Sequence, residues 1–454
     1  MSPRSLAWML CAALVALPPA PRAADAPPEP VDPALAARVD AAFIYAFPLY
    51  EMARARWNAM VNPLNPNPSP VNGTPFHKRK LIDHRDRDVT TPNNDTLYSA
   101  TWLDLSHTPV RIELPRITGG RYWSVAMLDI FSNNFAILGR MRDGEGPLQA
   151  TVVGPGWDGP LPTGSIVRSP TNDVQLIGRF LVDGPADAPM VHAIQDALRI
   201  AQLDPAVPLN HQWVAASTSR EPANFLAVVN EMLARNPVPP DERDMVAGWR
   251  DLGIGGGYDA FVRTSPAVQA AWKARLPALH ERVGVGLLHG GRMVQGWSVP
   301  SAAVGDFGTD YLLRAAVAFG GLSALAANEA IYLNLESDPS TGEPLDGARR
   351  YRLVVPPIDT TAFWSISMYE KDADGRLFFS ENPIGRYSIG DRTKGVHRQR
   401  DGSVVVLLQH ERPRDASNWL PAPRGAFALT LRVYGPSESM RRGEAALPRL
   451  ERND

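Results

Sequence analysis

The chain contains a single cysteine, Cys11, in 454 residues. One thiol forms no intramolecular disulfide and assembles no thiolate metal cluster or dithiol redox pair. Charge of one sign is lacking too. The formal net charge is -2, and no long run of Lys or Arg occurs, so a nucleic-acid partner is not expected. The nine histidines are scattered: His77 and His84 are seven apart, and a hairpin separates His397 from His410. None has a metal-site spacing such as H-E-x-x-H, and His410-Glu411 is the nearest approach to a ligand pair. No G-x-S-x-G elbow is present. Gly253-Ile254-Gly255-Gly256-Gly257 does not follow the strand that a dinucleotide fingerprint needs. No cofactor or metal is therefore expected.

One apolar run stands out, Leu6 to Leu17, which is too short to cross a bilayer. Arg4 precedes it and Ala24-Asp25-Ala26 follows, the layout of a secretory signal over residues 1–26. Cleavage would remove Cys11 and leave no integral membrane segment. The expected location is the periplasm or the exterior.

The remainder is ordinary globular material, 44% hydrophobic and 21% charged. Asp32 and Pro33 open a helix to about Tyr50, extended to Met60 with an interruption at Pro48. From Thr96 the pattern turns to strands, with Val110 to Leu114 alternating cleanly and Tyr122 to Asp129 apolar. The middle reads as helices over Pro189–Ala201, Asn224–Arg235, a short pair within Ser265–Gly284, and Asp310–Tyr332. Strands return from Tyr351, with turns at Asp372-Ala373-Asp374-Gly375 and Arg400-Asp401-Gly402. The domains expected are a leading helix and β unit over 33–185, a helical connection over 186–332 and a second β unit over 333–454.

The two β regions resemble each other. Val110-Arg111-Ile112-Glu113-Leu114-Pro115 matches Tyr351-Arg352-Leu353-Val354-Val355-Pro356, and eight residues beyond each proline stands a tryptophan, Trp123 or Trp364. Both tryptophans sit in an aromatic-Trp-Ser-x-x-Met pattern, with Tyr98 and Tyr332 upstream. The matched spacing points to a duplicated β unit, against the plainer reading of two ordinary hairpins.

Thr91-Pro92-Asn93-Asn94-Asp95-Thr96-Leu97-Tyr98-Ser99 and Arg121-Tyr122-Trp123-Ser124, running on to Phe131-Ser132-Asn133-Asn134-Phe135, form one set of marks. Asn382-Pro383-Ile384-Gly385-Arg386-Tyr387-Ser388-Ile389-Gly390-Asp391-Arg392 and Asn418-Trp419-Leu420-Pro421-Ala422-Pro423 form another. Together they resemble the two-part bacterial family known only as DUF1254 followed by DUF1214, across nearly all of the mature chain. The resemblance implies export and a mainly β fold with helical insertions (α+β): two related antiparallel sandwich- or barrel-like domains bridged by helices. It brings no catalytic residues.

Candidate site residues come from polar groups placed beside apolar strands, where an unpaired polar group is costly. Asp95, Tyr98, Asp129 and Arg386 are the candidates for acid–base and anchoring roles. Asn93, Asn94, Asn133, Tyr387, Asp391, Arg392 and Trp419 are candidates for ligand contact. Each has a structural alternative. The asparagines close turns through their own backbone, Asp129 caps a turn, Arg386 pairs with a carboxylate such as Asp391, and Trp419 plugs the end of a sheet. Two functions follow. One is an enzyme or binding protein for a small organic ligand, working without a redox cofactor. The other is an envelope structural or assembly module. The aromatic supply leaves room for a homo-oligomer.

Overall fold

The computed structural model describes residues 31–87, 90–289, 291–372 and 375–453. The expected signal over 1–26 and the turn residues Ala373 and Asp374 lie outside the described residues.

Two β-sandwiches lie side by side. The first holds β1 (Phe76–His77), β2 (Thr96–Asp104), β3 (Val110–Leu114), β4 (Trp123–Leu128), β5 (Asn134–Gly139), β6 (Leu148–Val153), β7 (Ser165–Arg168), β8 (Asp173–Leu181) and β9 (Arg199–Gln202). The second holds β10 (Gly291–Val294), β11 (Trp297–Pro300), β12 (Ala330–Leu335), β13 (Tyr351–Val355), β14 (Thr360–Lys371), β15 (Leu377–Phe378), β16 (Ser388–Gly390), β17 (Val404–Gln409), β18 (Trp419–Pro421), β19 (Phe427–Pro436) and β20 (Arg449–Arg452).

The topology repeats. An antiparallel sheet ordered β1-β2-β8-β4-β5 corresponds to β10-β11-β12-β19-β14-β15, with β16 also on β14. Behind each lies a four-stranded sheet, β7-β6-β3-β9 and β18-β17-β13-β20. Even the exception recurs: β6–β7 and β17–β18 are both parallel among otherwise antiparallel pairs. The Trp123 and Trp364 patterns occupy the equivalent strands β4 and β14, so the duplication expected from their spacing is present in the fold.

Strand alternation gives each large sheet two faces. Trp123, Val125 and Met127 fill the first sandwich core, and Trp364, Ile366 and Met368 fill the second. The intervening positions turn the other way. Tyr122, Ala126, Leu128, Phe363 and Tyr434 belong to a third core shared with the helices. The two large sheets therefore face each other, and the helices complete the layer between them.

Several helices differ from expectation. Pro33–Met60 is continuous through Pro48, capped by Asp32 Oδ1 accepting from Leu35 N at 2.9 Å. Its central turns are buried on all sides, which outweighs the hydrogen bond that proline removes. Pro266–His289 is likewise one helix through Pro277. The expected Pro189–Ala201 helix stops at Ala197, because Arg199–Gln202 pairs with β3. The expected Asp310–Tyr332 helix spans only Tyr311–Gly320. Gly320-Gly321 interrupts it, and Ala330–Leu335 becomes a strand paired with β19. Among the described residues no helix is long and apolar enough to cross a membrane.

Candidate functional site

The register builds the same three-residue row on each facing sheet. Across β2, β8 and β4, Tyr98, Arg179 and Ser124 stand side by side. Across β12, β19 and β14, the row is Tyr332, Arg432 and Ser365. Each row carries a guanidinium at the centre of a sheet. Arg179 is 5% exposed and Arg432 is 3% exposed. A buried cation of this kind demands partners.

The segment entering each row is also repeated, Asn94-Asp95-Thr96-Leu97-Tyr98 and Asn328-Glu329-Ala330-Ile331-Tyr332. Each delivers its carboxylate to the opposite sandwich. Ser365 Oγ donates to Asp95 Oδ2 at 2.6 Å, and Ser388 Oγ donates to Oδ1 at 3.5 Å. Reciprocally, the Tyr122 hydroxyl donates to Glu329 Oε1 at 2.7 Å and lies 3.1 Å from Ser124 Oγ. Asn93 Nδ2 donates to the Tyr434 hydroxyl at 2.7 Å. The rings of Tyr122 and Tyr434 meet at 4.9 Å and those of Phe363 and Tyr434 at 4.3 Å.

The two arginines then part company. Arg432 Nη1 donates to Ser367 Oγ at 2.6 Å. Its Nη2 donates to the Tyr369 hydroxyl at 2.6 Å and to the carbonyls of Thr91 and Pro92, both at 3.1 Å. The Tyr369 hydroxyl donates to Pro92 O at 2.6 Å. Among the described residues Arg179 has one hydrogen bond, from Nη2 to Ser323 O at 2.9 Å, and its buried Nη1 has no partner. The register explains the difference. The positions of Ser367 and Tyr369 on β14 are those of Ala126 and Leu128 on β4. Around Arg179 stand the Tyr98 ring, 5.4 Å from the guanidinium carbon, and the phenols of Tyr122, Tyr332 and Tyr434. Tyr98 and Tyr332 keep part of their surface accessible, and neither hydroxyl has a hydrogen-bond partner among the described residues. No ion pair to Arg179 occurs among the described residues.

Burial dominates the electrostatics. It raises the Asp95 carboxyl above its ordinary range, against the pull of Arg432 and the two serines. Burial raises Glu329 as well, opposed by Tyr122 and Arg179. The Tyr332 phenol is pushed up to about 12, again chiefly by burial. At neutral pH the phenols are neutral donors, and a guanidinium stays charged. Glu329 also lines an open groove of about 570 Å³, together with Asn134, Arg142, Asp306 and Arg441. Asn134 Oδ1 and Arg441 Nε in that lining are buried without partners. Among the described residues no group of three or more His, Cys, Asp or Glu side chains could hold a metal ion.

Two family models match this chain, and together they span more than half of its residues. The protein of unknown function DUF1254 matches residues 73–202, and the protein of unknown function DUF1214 matches residues 329–438. The chain belongs to the DUF1254/DUF1214 family. Each matched stretch supplies one of the two rows. The VPA0106 protein from Vibrio parahaemolyticus has a similar fold, with TM-score 0.72 at 21% identity over 92% of this chain and 100% of its own. A putative uncharacterized protein from Burkholderia cenocepacia aligns at TM-score 0.45 and 14% identity, over 92% of this chain and 93% of its own. No curated protein matches the chain.

In this DUF1254/DUF1214 chain the structure joins some of the residues singled out from sequence and separates others. Asn93, Asp95 and Tyr98 lie in the layer between the sheets. Asn94 neighbours them, with its Oδ1 buried and unpartnered. Asp129 instead caps a turn: its Oδ1 accepts from the main-chain N–H of Phe131 and Asn133, both at 2.9 Å, and its Oδ2 from Asn133 Nδ2 at 3.1 Å. Burial lifts its pKa to about 6. Arg386 does not pair with Asp391. Its Nη1 donates to the carbonyls of Ala416, Ser417 and Trp419 at 2.8–3.2 Å, because the loop before β18 offers main-chain acceptors closer at hand. Asp391 Oδ1 accepts from Trp364 N at 3.3 Å. Trp419 is fully buried, donating Nε1–H to Gln409 O at 2.9 Å. Tyr387 and Arg392 fasten the second sandwich to the first: the Tyr387 hydroxyl and His84 Nδ1 hydrogen-bond at 2.7 Å, and Arg392 Nε donates to Asp183 Oδ1 at 2.7 Å. No hydrogen bond or ion pair among the described residues joins Asp95, Asp129 and Arg386.

Sequence reasoning missed Arg179, Arg432, Glu329 and Tyr434 as site residues. The available signal was an arginine inside a mainly apolar strand, Val174 to Phe180 and Phe427 to Tyr434, occurring twice at equivalent places.

Proposed function

We propose that this protein binds a small organic ligand in the layer between its two sandwiches, beside Arg179, Tyr98 and Tyr332, and that it does so in the periplasm. One observation carries the reading. A buried guanidinium nitrogen and two pseudo-equivalent tyrosine hydroxyls are all without partners at one place. An unmet buried donor costs about 1–3 kcal/mol, more when it is charged, and a fold that merely packed would have filled it, as it did around Arg432. The apolar run at residues 6–17 supports export.

A second reading is favoured by a different observation. Asn93, Asp95, Tyr369 and Arg432 are fully engaged across the interface, as a module that locks two domains for assembly would require. The double variant Tyr98→Phe/Tyr332→Phe separates the two. Ligand binding predicts an unchanged unfolding midpoint and at least tenfold weaker binding of any compound that raises the wild-type melting temperature in a screen of small periplasmic metabolites. A purely structural layer predicts no such compound.

A further inference from the structure

The duplication supplies an internal reference for what the open position takes. Arg432 and Arg179 occupy the same place in the same row, so the partners of the first describe the space left around the second. Arg432 is satisfied by oxygen acceptors: two main-chain carbonyls, a serine hydroxyl and a phenol. At Arg179 the serine and phenol positions are Ala126 and Leu128. The segment that enters from the opposite sandwich offers only Ser323 O. What is missing is an oxygen acceptor at Nη1, close to the Tyr98 and Tyr332 phenols.

Charge narrows the class. Arg432 has the Asp95 carboxylate within electrostatic reach. Glu329 stands in the same electrostatic reach of Arg179, and neither arginine has a carboxylate at ion-pair distance among the described residues. Glu329 also accepts from Tyr122, as Asp95 does from Ser365. What distinguishes Arg179 is its open N–H, and a guanidinium N–H makes its strongest hydrogen bond to a charged oxygen. A phosphate dianion would bring excess charge beside both Asp95 and Glu329. A neutral amide or alcohol would give Nη1 a weaker acceptor than a carboxylate does. A planar carboxylate supplies two acceptor oxygens, pairs with one fork of a guanidinium, and takes further hydrogen bonds from neutral phenols.

We infer that the ligand bound at Arg179 is a small organic monocarboxylate, held by the guanidinium Nη1 and by the hydroxyls of Tyr98 and Tyr332. This rests on the ligand-binding reading above and names its chemical class. The carboxylate meets Nη1, the nitrogen that Ser367 satisfies on Arg432.

The test is calorimetric titration of the full chain with acetate, propionate, butyrate and benzoate. Each is matched with its primary amide at equal ionic strength, and inorganic phosphate forms a separate arm. The expected result is saturable one-to-one binding of at least one carboxylate, with its amide at least 100-fold weaker. Arg179→Gln should abolish that binding. Ala126→Ser rebuilds the hydroxyl that Arg432 enjoys, and should weaken binding at least tenfold while leaving the melting temperature within a few degrees of wild type. An amide that binds as tightly as its acid and survives Arg179→Gln overturns the carboxylate assignment and leaves the ligand-binding reading standing. Preferential binding of phosphate does the same. If no acid, amide or phosphate binds, and the metabolite screen raises no melting temperature, both are overturned.

Discussion

Two arginines at equivalent places in one fold should respond in opposite ways to the same substitution. Arg432→Met removes four donated hydrogen bonds and takes the guanidinium donor from Thr91 O, Ser367 Oγ and the Tyr369 hydroxyl, leaving Pro92 O with Tyr369 alone. It also strips Asp95 of its compensating charge. Breaking a buried, charge-assisted network costs about 3–5 kcal/mol. For a cooperative unit the size of one sandwich with its helices, that lowers the melting temperature by roughly 6–20 °C. Arg179→Met gives up one hydrogen bond to Ser323 O, worth about 1.5–3 kcal/mol. It also removes a desolvated cation with an unmatched N–H and puts a flexible apolar chain against the Tyr98 ring. The two effects offset, and the net change should fall within about 1 kcal/mol of zero. The assay is scanning calorimetry of both variants beside wild type, with urea unfolding followed by tryptophan fluorescence as an independent measure. Equal destabilisation by the two substitutions would refute the reasoning, since Arg179 would then be as structural as Arg432 and nothing would be left open for a ligand.

Two further predictions concern acidity. Asp129 has its pKa raised to about 6 by burial, so the folded state holds its proton more tightly than the unfolded chain. Stability should therefore fall as pH rises from about 4 to 6, by up to roughly 3 kcal/mol. Asp129→Asn keeps an acceptor for the Phe131 and Asn133 N–H groups, and should flatten urea midpoints measured at pH 4, 5, 6 and 7. A variant as pH-dependent as wild type would contradict this. Asp173 behaves oppositely. It is fully buried, bridged by Arg235 through both carboxylate oxygens at 2.6 and 2.7 Å and approached by Arg56 at 3.5 Å. Burial alone would raise its pKa, but Arg56 and Arg235 outweigh that and lower it. Its stabilisation is complete above the unfolded-chain value near 3.9 and is lost as pH falls through the lower folded value. Asp173→Asn should cost about 3–5 kcal/mol at neutral pH and remove the acid-unfolding limb below about pH 4, read by circular dichroism.

Much of the fold is legible because strand alternation is local. Val110 to Leu114 and the two tryptophan patterns announce a sandwich core and its copy. The misreadings fall where non-local pairing decides. Ala330-Ile331-Tyr332 continues an Ala- and Leu-rich stretch that suits a helix as well as a strand, and only its bonding to β19 settles it. Arg199–Gln202 has the same history beside β3. The site was half visible. Asn93 and Asp95 stand out as polar groups ahead of a strand, but their partners Tyr434 and Ser365 lie 341 and 270 residues away. Nothing local to Arg386 distinguishes a ligand grip from a pin on main-chain carbonyls. Arg179 and Arg432 carried the better signal: counting by twos from Phe180 and Val433, which point into the sandwich cores, puts each guanidinium on the face away from its own core.

That parity argument also says why a duplicated fold would make a site here rather than elsewhere. When two copies of one sheet face each other, whatever polar group the ancestral outer face carried is buried twice. Each copy must then find acceptors or be lost. The segment ahead of β2 meets the need at Arg432, where Thr91 O and Pro92 O cap the guanidinium and Asp95 balances it nearby. The equivalent segment ahead of β12 has spent its acceptors differently: Ala326 O accepts from Glu329 N at 2.8 Å and Ala330 N at 3.1 Å, and Glu329 Oε1 is taken by Tyr122. Arg179 therefore keeps a buried N–H without an acceptor. A selection acting on stability alone would replace such a residue with an apolar one at little cost. Its presence at the centre of β8, beside two unpaired phenols, is the strongest argument that something outside the chain completes the row.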